Sequence, residues 1–185
     1  TLHRLSILDS PTEPAFDRFT QLVTRLLGVP IAMISLVDAQ RQFFKSSIGL
    51  AEPWASYRET PLSHSFCQYT VETDKPLIVS DALTHPLVHN NPGIQALDMY
   101  AYLGIPLTTA DGMVLGALCA IDTQPHQWHA ADIDLMHDLA AALMAEIELR
   151  LDIIARQQAE AALYESNARF AAAFKLASIG MVLVD

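Results

Sequence analysis

The chain has 185 residues, of which 51% are hydrophobic, and its formal net charge is −10. That length suits one domain of ordinary size with an extension, and the apolar content is high enough to form a core. An acidic surface repels nucleic-acid backbones and anionic lipid, which argues against nucleic-acid and membrane partners. The longest apolar runs are too short to span a bilayer.

The cysteine content and the first residues indicate the cellular compartment to expect. Cys67 and Cys119 are too few for a disulfide framework, and no charged-then-apolar leader opens the chain. We therefore expect a reduced, cytoplasmic setting. Because the sequence starts at Thr1 without a methionine and stops at Asp185 inside a strand-like run, we also expect a fragment of a longer protein.

The first predicted element is a helix. Thr12 is the predicted N-cap, Pro14 is tolerated in the first turn, and Gly28 is expected to end the helix. Apolar residues recur at helical spacing along it: Phe16, Phe19, Val23, Leu26 and Leu27. These residues predict one buried helix face.

Short strands and loops follow. Residues 31–37 and 42–48 predict two strands, and residues 49–61 an irregular loop. A short helix is expected from Ser63 or Ser65 to Thr70, and a short strand over residues 77–80. Two prolines and two asparagines within residues 85–99 favour a loop with one or two helical turns.

Residues 102–122 predict a hairpin. Asp111-Gly112 lies between two apolar runs and is typical of a two-residue turn. Gly104 and Gly116 would let a neighbouring chain or ligand approach the sheet closely. The predicted fold class is α+β, with an antiparallel sheet of five or six strands flanked by helices and a long C-terminal helix.

The last third of the chain predicts that long helix. Residues 126–179 contain no glycine or proline, and a helix over residues 129–167 would be about 58 Å long. Apolar residues repeat at heptad spacing in part of it: Met144, Ile147, Leu151, Ile154, and more weakly Gln158 and Ala161. We expect a homodimer through this helix; the alternative is a lone, solvated helix.

Several stretches together resemble a GAF domain, a small-molecule-binding module of bacterial signalling proteins. They are LDSP at 8–11, GVPI at 28–31, SLVD at 35–38, SFC at 65–67, PLIVSDA at 76–82, YLGIPL at 102–107 and GALCAID at 116–122. Residues 169–185 resemble the opening of a PAS domain, whose first strand would begin near Ile179. The helix between them is similar to signalling helices.

The resemblance implies a domain organisation and a function. It implies a GAF sensor at residues 1–150, a coiled-coil linker at 151–168 and a truncated PAS domain from 169. It also implies a six-stranded sheet with a ligand cavity on one face, the terminal helices on the other, and an output domain that is a sensor histidine kinase or a diguanylate cyclase. The expected function is therefore sensory and non-catalytic.

The cysteines are candidates for chemistry. Cys119 would share an apolar strand face without a base to ionise it, which predicts a packing role. His64 and Cys67 would share a helix face, and His85 and His89 are four residues apart, so the residue types suit zinc. No metal site is predicted, however, because no second cysteine stands at ligand spacing from Cys67.

Other ligands of GAF relatives are disfavoured by the sequence. Neither cysteine is followed by histidine, as covalent tetrapyrrole attachment would favour, and the Asn-Lys or Asn-Arg pair of cyclic-nucleotide binders is absent. A thiol-dependent methionine sulfoxide reductase remains an alternative, as does a ligand-free dimerisation module. No cofactor is identified.

We predict a reversible pocket for an unidentified small molecule. Pockets are mostly apolar with a few orienting polar groups, and the predicted lining is Asp81, His85, His89, Asn90, Asn91, Tyr100, Tyr102, Thr108 and Cys67. The alternative is that these polar residues only lie on the surface of a loop, and that Leu87, Ile94 and Leu97 fill the cavity. His126, His129 and His137 are expected on the surface of the last helix.

Overall fold

The computed structural model describes the backbone of residues 8–181 and the side chains of residues 8–170. The chain divides into two units, Thr1–Ala145 and Glu146–Asp185. No helix among the described residues is both long enough and apolar enough to cross a membrane.

The first unit is built on a six-stranded antiparallel sheet. The strand order is β3-β2-β1-β6-β5-β4. The strands are β1 Ile31–Val37, β2 Arg41–Ile48, β3 Glu59–Pro61, β4 Leu77–Val79, β5 Ala101–Thr108 and β6 Val114–Asp122. This arrangement confirms the predicted fold class.

Helices flank the sheet. They are α1 Pro14–Leu27, α2 Trp54–Tyr57, α3 Cys67–Thr73 and α4 Gly93–Ala96, with a 3₁₀ turn at Leu62–His64. After the last strand the chain continues as a long helix, α5 Ala130–Met181. α1 contacts β1 and β2, whereas α3 contacts β6, β5 and β1.

The ends of α1 follow the sequence signals with one change. Gly28 ends the helix in the left-handed conformation, with a φ of 69°, as its missing Cβ allows. The N-cap is Glu13, not Thr12, because Pro14 already occupies the first helical position. Phe16 and Val23 are buried as predicted, but Leu26 is 56% exposed.

β1 and β6 form the centre of the sheet. They pair in register from Ile31↔Ile121 to Leu36↔Gly116, and their residues are buried on both faces. A Cβ on Gly116 would overlap the backbone carbonyl of Ser35. Gly116 therefore makes room for the neighbouring strand, and not for a ligand.

Three local predictions were wrong. Residues 49–61 contain α2 and β3, where an irregular loop was expected. The hairpin connection is longer than the two residues predicted. The last strand pair is Thr108↔Val114, and the closing hydrogen bond runs from Thr109 N–H to Met113 O at 2.9 Å, with residues 110–112 between them. His64 ends a 3₁₀ turn while Cys67 begins α3, so the two do not share a helix face.

α5 begins as expected and continues further than expected. Asp132 accepts a hydrogen bond from His129 N–H at 2.8 Å in its first turn. The helix includes residues 179–181, where the PAS strand was predicted to begin; residues 182–185 lie outside the described part. His137 is exposed on α5, but His126 precedes the helix and is half-buried.

Burial along the predicted heptad seam decreases toward its end. Met144 in the first unit is 7% exposed. In the second unit Ile147 is buried, Leu151 and Ile154 are half-buried, and Gln158 and Ala161 are exposed. The heptad spacing does fall on one uninterrupted helix.

Lys45 on β2 lies beneath the segment that leads into α1. Its side chain is 2% exposed and pairs with Glu13, and Nζ donates to Ser10 Oγ at 2.6 Å and Pro11 O at 3.0 Å. Burial, together with the nearby Arg58 charge, lowers the pKa of Lys45 from 10.5 to about 8, although Asp17 partly opposes this shift.

We predict that Gly116→Ala destabilises the domain by roughly 3 kcal/mol or more, since the new methyl group meets backbone that cannot move aside. Gly112→Ala is the matched control: its φ is 82° but a Cβ meets nothing within 4 Å, so the cost is roughly 1–2 kcal/mol. Urea unfolding measures both. Equal costs would contradict the close approach of β1 and β6.

The lowered pKa of Lys45 predicts a pH dependence. Between pH 8 and 10.5 the unfolded chain binds more protons than the folded one, so the free energy of unfolding should rise with pH, by up to about 3 kcal/mol. Unfolding of Lys45→Met measured across this range should lack that rise, and a variant of the exposed Lys75, Lys75→Met, should retain it. A wild-type slope in Lys45→Met would contradict the assignment.

Candidate functional site

The sheet face beneath α3 is filled by side chains. Phe66, Met99 and Tyr102 are each at most 1% exposed there. The remaining members of the cluster come from the sheet, α3, α4 and the loops beside them: Ile31, Met33, Phe44, Cys67, Val79, Ala82, Val88, Ile94, Leu97, Ala117, Cys119 and Ile121. Of the three residues expected to fill the space if no pocket forms, Ile94 and Leu97 are buried in this cluster, whereas Leu87 is 48% exposed.

A polar cluster lies inside this apolar face. Cys67 Sγ on α3 is 3.3 Å from Cys119 Sγ on β6. The Tyr102 hydroxyl on β5 is 3.2 Å from Cys67 Sγ and 3.3 Å from Cys119 Sγ. All three side chains are at most 1% exposed. We call these residues the dithiol–tyrosine cluster.

Gly104 gives Tyr102 its position. A Cβ on Gly104 would overlap the Tyr102 hydroxyl and ring, so the tyrosine folds over the glycine two residues along the same strand. Gly104 pairs with Cys119 on β6. The space above this glycine is therefore taken by Tyr102, where a ligand or another chain was predicted.

Burial and hydrogen bonding separate the two thiols. Burial raises the pKa of Cys67, but hydrogen bonding with Cys119 and Tyr102 outweighs burial, so the pKa lies below its ordinary value. Burial and the neighbouring Cys67 raise the pKa of Cys119, and burial likewise raises that of Tyr102. Cys67 is thus the thiol that ionises first, and Tyr102 keeps its proton.

Residues 81–100 form a loop that is closed at its base. Ala82 N–H donates to Tyr100 O at 2.7 Å. Asp81 accepts from Leu83 N–H at 3.0 Å, and Asn91 accepts from Gly93 N–H at 2.8 Å. Asp81 and Asn91 therefore shape turns of this loop, as Asp and Asn commonly do.

A surface groove of about 270 Å³ lies along this loop. It is lined by Leu83, His89, Asn90, Asn91, Pro92, Ile94 and Gln95. Asn90 Nδ2 is 2.8 Å from His89 Nε2, and both residues are exposed. Three of the predicted pocket residues, His89, Asn90 and Asn91, thus come together here; we call this the loop groove.

The other predicted pocket residues lie elsewhere. Tyr102 and Cys67 are in the buried cluster. Thr108 Oγ1 donates to Asp74 at 2.7 Å and ties β5 to the turn after α3. His85 Nδ1 is 3.4 Å from Leu87 N within the loop, and Tyr100 is half-buried against the core.

Metal ligands are not brought together. His64 lies against Trp54, with ring centroids 5.9 Å apart. Within the part of the chain that the structure describes, no three His, Cys, Asp or Glu side chains are grouped so that they could hold a metal ion.

The connection from β6 to α5 is fastened beside the loop. His126 N–H donates to Ser80 O at 2.9 Å, and Trp128 Nε1 donates to Val79 O at 3.0 Å. His126 Nδ1 lies 2.9 Å from Asp122 Oδ2, and its ring stacks on Trp128 with centroids 4.2 Å apart. His126 therefore anchors this connection. The prediction that it is a surface residue of the last helix was wrong.

Sequence reasoning missed the pairing of the cysteines. They are 52 residues apart, on a helix and a strand, so no local spacing signals their contact. The available signal was that each cysteine was expected on an element packed into the core.

The geometry agrees with three comparisons to known proteins. The family model described as GAF domain matches residues 11–147. The cyclic di-GMP phosphodiesterase PA2567 of Pseudomonas aeruginosa is 36% identical over 146 residues, which cover 78% of this chain and 24% of that protein. The chain thus spans about a quarter of that curated relative's length.

Two solved structures share the fold. The GAF domain of an Acinetobacter phosphoenolpyruvate-protein phosphotransferase has a TM-score of 0.61 and 23% identity, covering 80% of this chain and 90% of that one. A domain of a two-component sensor histidine kinase protein from Sinorhizobium meliloti has a TM-score of 0.61 and 18% identity, covering 77% and 95%. With the family match extending over most of its length, the chain belongs to the GAF domain family.

Proposed function

We propose that this chain is the sensory GAF domain of a multidomain signalling protein, which binds a small molecule in the loop groove and transmits the change through α5. The observation that carries the proposal is the 36% identity to PA2567 over a region that makes up 24% of that enzyme. A domain that forms so small a part of an enzyme is suited to regulating it. A sensor histidine kinase, a diguanylate cyclase or a phosphodiesterase would each be a fitting output.

The loop groove supports the ligand part of the proposal. Its exposed His89, Asn90 and Gln95 offer hydrogen-bond donors and acceptors beside the apolar Leu83 and Ile94. This mixture is typical of small-molecule sites. The loop also begins next to Ser80, which holds His126 in the connection to α5. A ligand that favours one loop conformation would therefore bias that connection.

α5 supports the transmission part. Leu151 and Ile154 lie in the heptad seam of the second unit and are half-buried. Aliphatic residues at these positions favour a coiled-coil dimer. We propose that this signalling helix leads to a PAS domain, of which residues 169–185 are the opening.

Two alternative functions differ in what they require of the sheet face beneath α3. A ligand-free dimerisation module is favoured by its filling with side chains. A methionine sulfoxide reductase would need its thiols open to an amino-acid-sized substrate, but Cys67 and Cys119 are 1% and 0% exposed. Regulatory sensing at the loop groove fits better than thiol catalysis.

We predict that Ile154→Asp weakens dimerisation of the 185-residue chain, because it places a charge in the apolar seam. The dissociation constant should rise by at least about tenfold, or about 1.4 kcal/mol, in sedimentation equilibrium. Ala159→Asp adds the same charge outside the heptad seam and should leave the constant unchanged. A wild-type chain that stays monomeric, or equal effects of both variants, would contradict the dimeric helix.

We predict that a small molecule stabilises the chain through the loop groove. A thermal-shift panel should include cyclic di-GMP, GTP, ATP and free amino acids; a true ligand at 100 times its Kd stabilises by about 2.7 kcal/mol. His89→Ala should abolish that shift, whereas the exposed His137→Ala on α5 should retain it. A panel without any shift, or one that His89→Ala leaves intact, favours the ligand-free module.

A further inference from the structure

Cys67 and Cys119 are close enough for a further chemistry. Their sulfurs are 3.3 Å apart, and a disulfide needs about 2.05 Å. Each sulfur therefore has to move by well under 1 Å to bond to the other, on the order of one rotamer adjustment. A pair that served packing alone would not require this mutual orientation, nor a tyrosine hydroxyl within 3.3 Å of both sulfurs.

We propose that Cys67 and Cys119 form a reversible intramolecular disulfide, made by oxidation with a small hydroperoxide and broken by a dithiol reductant. This modification site does not depend on a ligand in the loop groove.

The reaction balances in two steps. The Cys67 thiolate attacks the distal oxygen of the hydroperoxide; the S–O bond forms, the O–O bond breaks, and the leaving alkoxide or hydroxide takes a proton. The Cys119 sulfur then attacks the sulfenic sulfur of Cys67, forming the S–S bond while water leaves with the proton of Cys119. The two thiols lose two electrons in total. The hydroperoxide is reduced to an alcohol, or to water if it is hydrogen peroxide, and one further water is released in the second step.

The surroundings assign the roles of the two cysteines. The hydrogen bond that the Tyr102 hydroxyl donates at 3.2 Å favours the Cys67 thiolate, and the thiolate is the nucleophile in such reactions. Cys119 keeps its proton until the second step, because burial and the Cys67 charge disfavour its ionisation. Tyr102 is a positioning residue whose hydroxyl donates to the thiolate.

Access to the sulfurs depends on the elements that cover them. α3 spans only Cys67–Thr73 and α4 only Gly93–Ala96. Such short elements open at lower free energy than the paired strands beneath them. A brief opening admits a molecule about the size of water, such as hydrogen peroxide, more readily than an amino acid. This difference in size selects the oxidant.

The bond would act on both the loop and the exit from the sheet. It would join the first residue of α3 to β6. Asn91 Nδ2 of the loop groove donates to Ser65 O at 3.4 Å, just before α3, so fixing α3 also restrains the loop. β6 ends at Asp122, which holds His126 in the connection to α5.

The test uses the whole 185-residue chain, first reduced and then exposed to hydrogen peroxide. We expect both thiols to disappear from maleimide labelling under denaturing conditions, and the intact mass to fall by two hydrogen atoms. Peptide mapping should find Cys67 joined to Cys119, and dithiothreitol should restore both thiols. The oxidised chain should also exchange the amide hydrogens of α3 more slowly.

Variants separate the cluster from nonspecific oxidation. In Cys119→Ala, Cys67 should gain oxygen instead of forming a bond, provided circular dichroism shows a folded chain. Tyr102→Phe should slow disulfide formation severalfold. Tyr100 is a half-buried tyrosine two residues earlier, so Tyr100→Phe is the matched control and should leave the rate unchanged. Disulfide formation at equal rates in both tyrosine variants would overturn the role of Tyr102.

Three results in the wild-type chain would overturn the proposal itself. Both thiols could stay reactive after peroxide treatment. The chain could gain oxygen atoms on each cysteine without losing hydrogen. Cross-links could form only between chains, as a dimer band on a non-reducing gel. Because none of these readouts involves the loop groove, failure here leaves the proposed sensing function standing.

Discussion

The close approach of β1 and β6 is the constraint on which the rest of the structure depends. The two strands pair along six residues, and the absence of a side chain at Gly116 lets their backbones lie against each other. Because both faces of this pair are buried, each must be covered by another element. α1 covers one face and α3 the other. The site, the loop and the exit toward α5 are positioned by that requirement.

The two faces solve the problem of burying polar groups differently. On the α1 face, the Lys45 ammonium pairs with Glu13 and donates hydrogen bonds to Ser10 Oγ and the Pro11 carbonyl, all in or next to the segment before α1. On the α3 face, two thiols and the Tyr102 hydroxyl satisfy one another. Buried polar groups without partners are costly. Each cluster therefore also fixes how its helix sits on the sheet.

Much of the fold could be predicted because its signals are local. The apolar runs at β1, β5 and β6 are long, Gly28 marks the end of α1, and Asp111-Gly112 marks the hairpin connection. α2 and the extent of α3 were missed, because four- to seven-residue helices carry little periodicity. The meeting of Cys67 with Cys119 depends on strand order and helix placement, which no single stretch of sequence specifies. Of the predicted ligand residues, His89, Asn90 and Asn91 line the loop groove. Cys67 and Tyr102 meet in the buried cluster instead.

The two tryptophans give the molecule a built-in optical reporter. Trp128 is 7% exposed, its indole N–H is bonded to β4 and its ring stacks on His126, whereas Trp54 on α2 is half-buried. Indole emission responds to solvent contact and to a neighbouring imidazole. Movement of the connection toward α5 would therefore change the colour and intensity of Trp128 fluorescence, so its opening rate is measurable in real time without an attached dye.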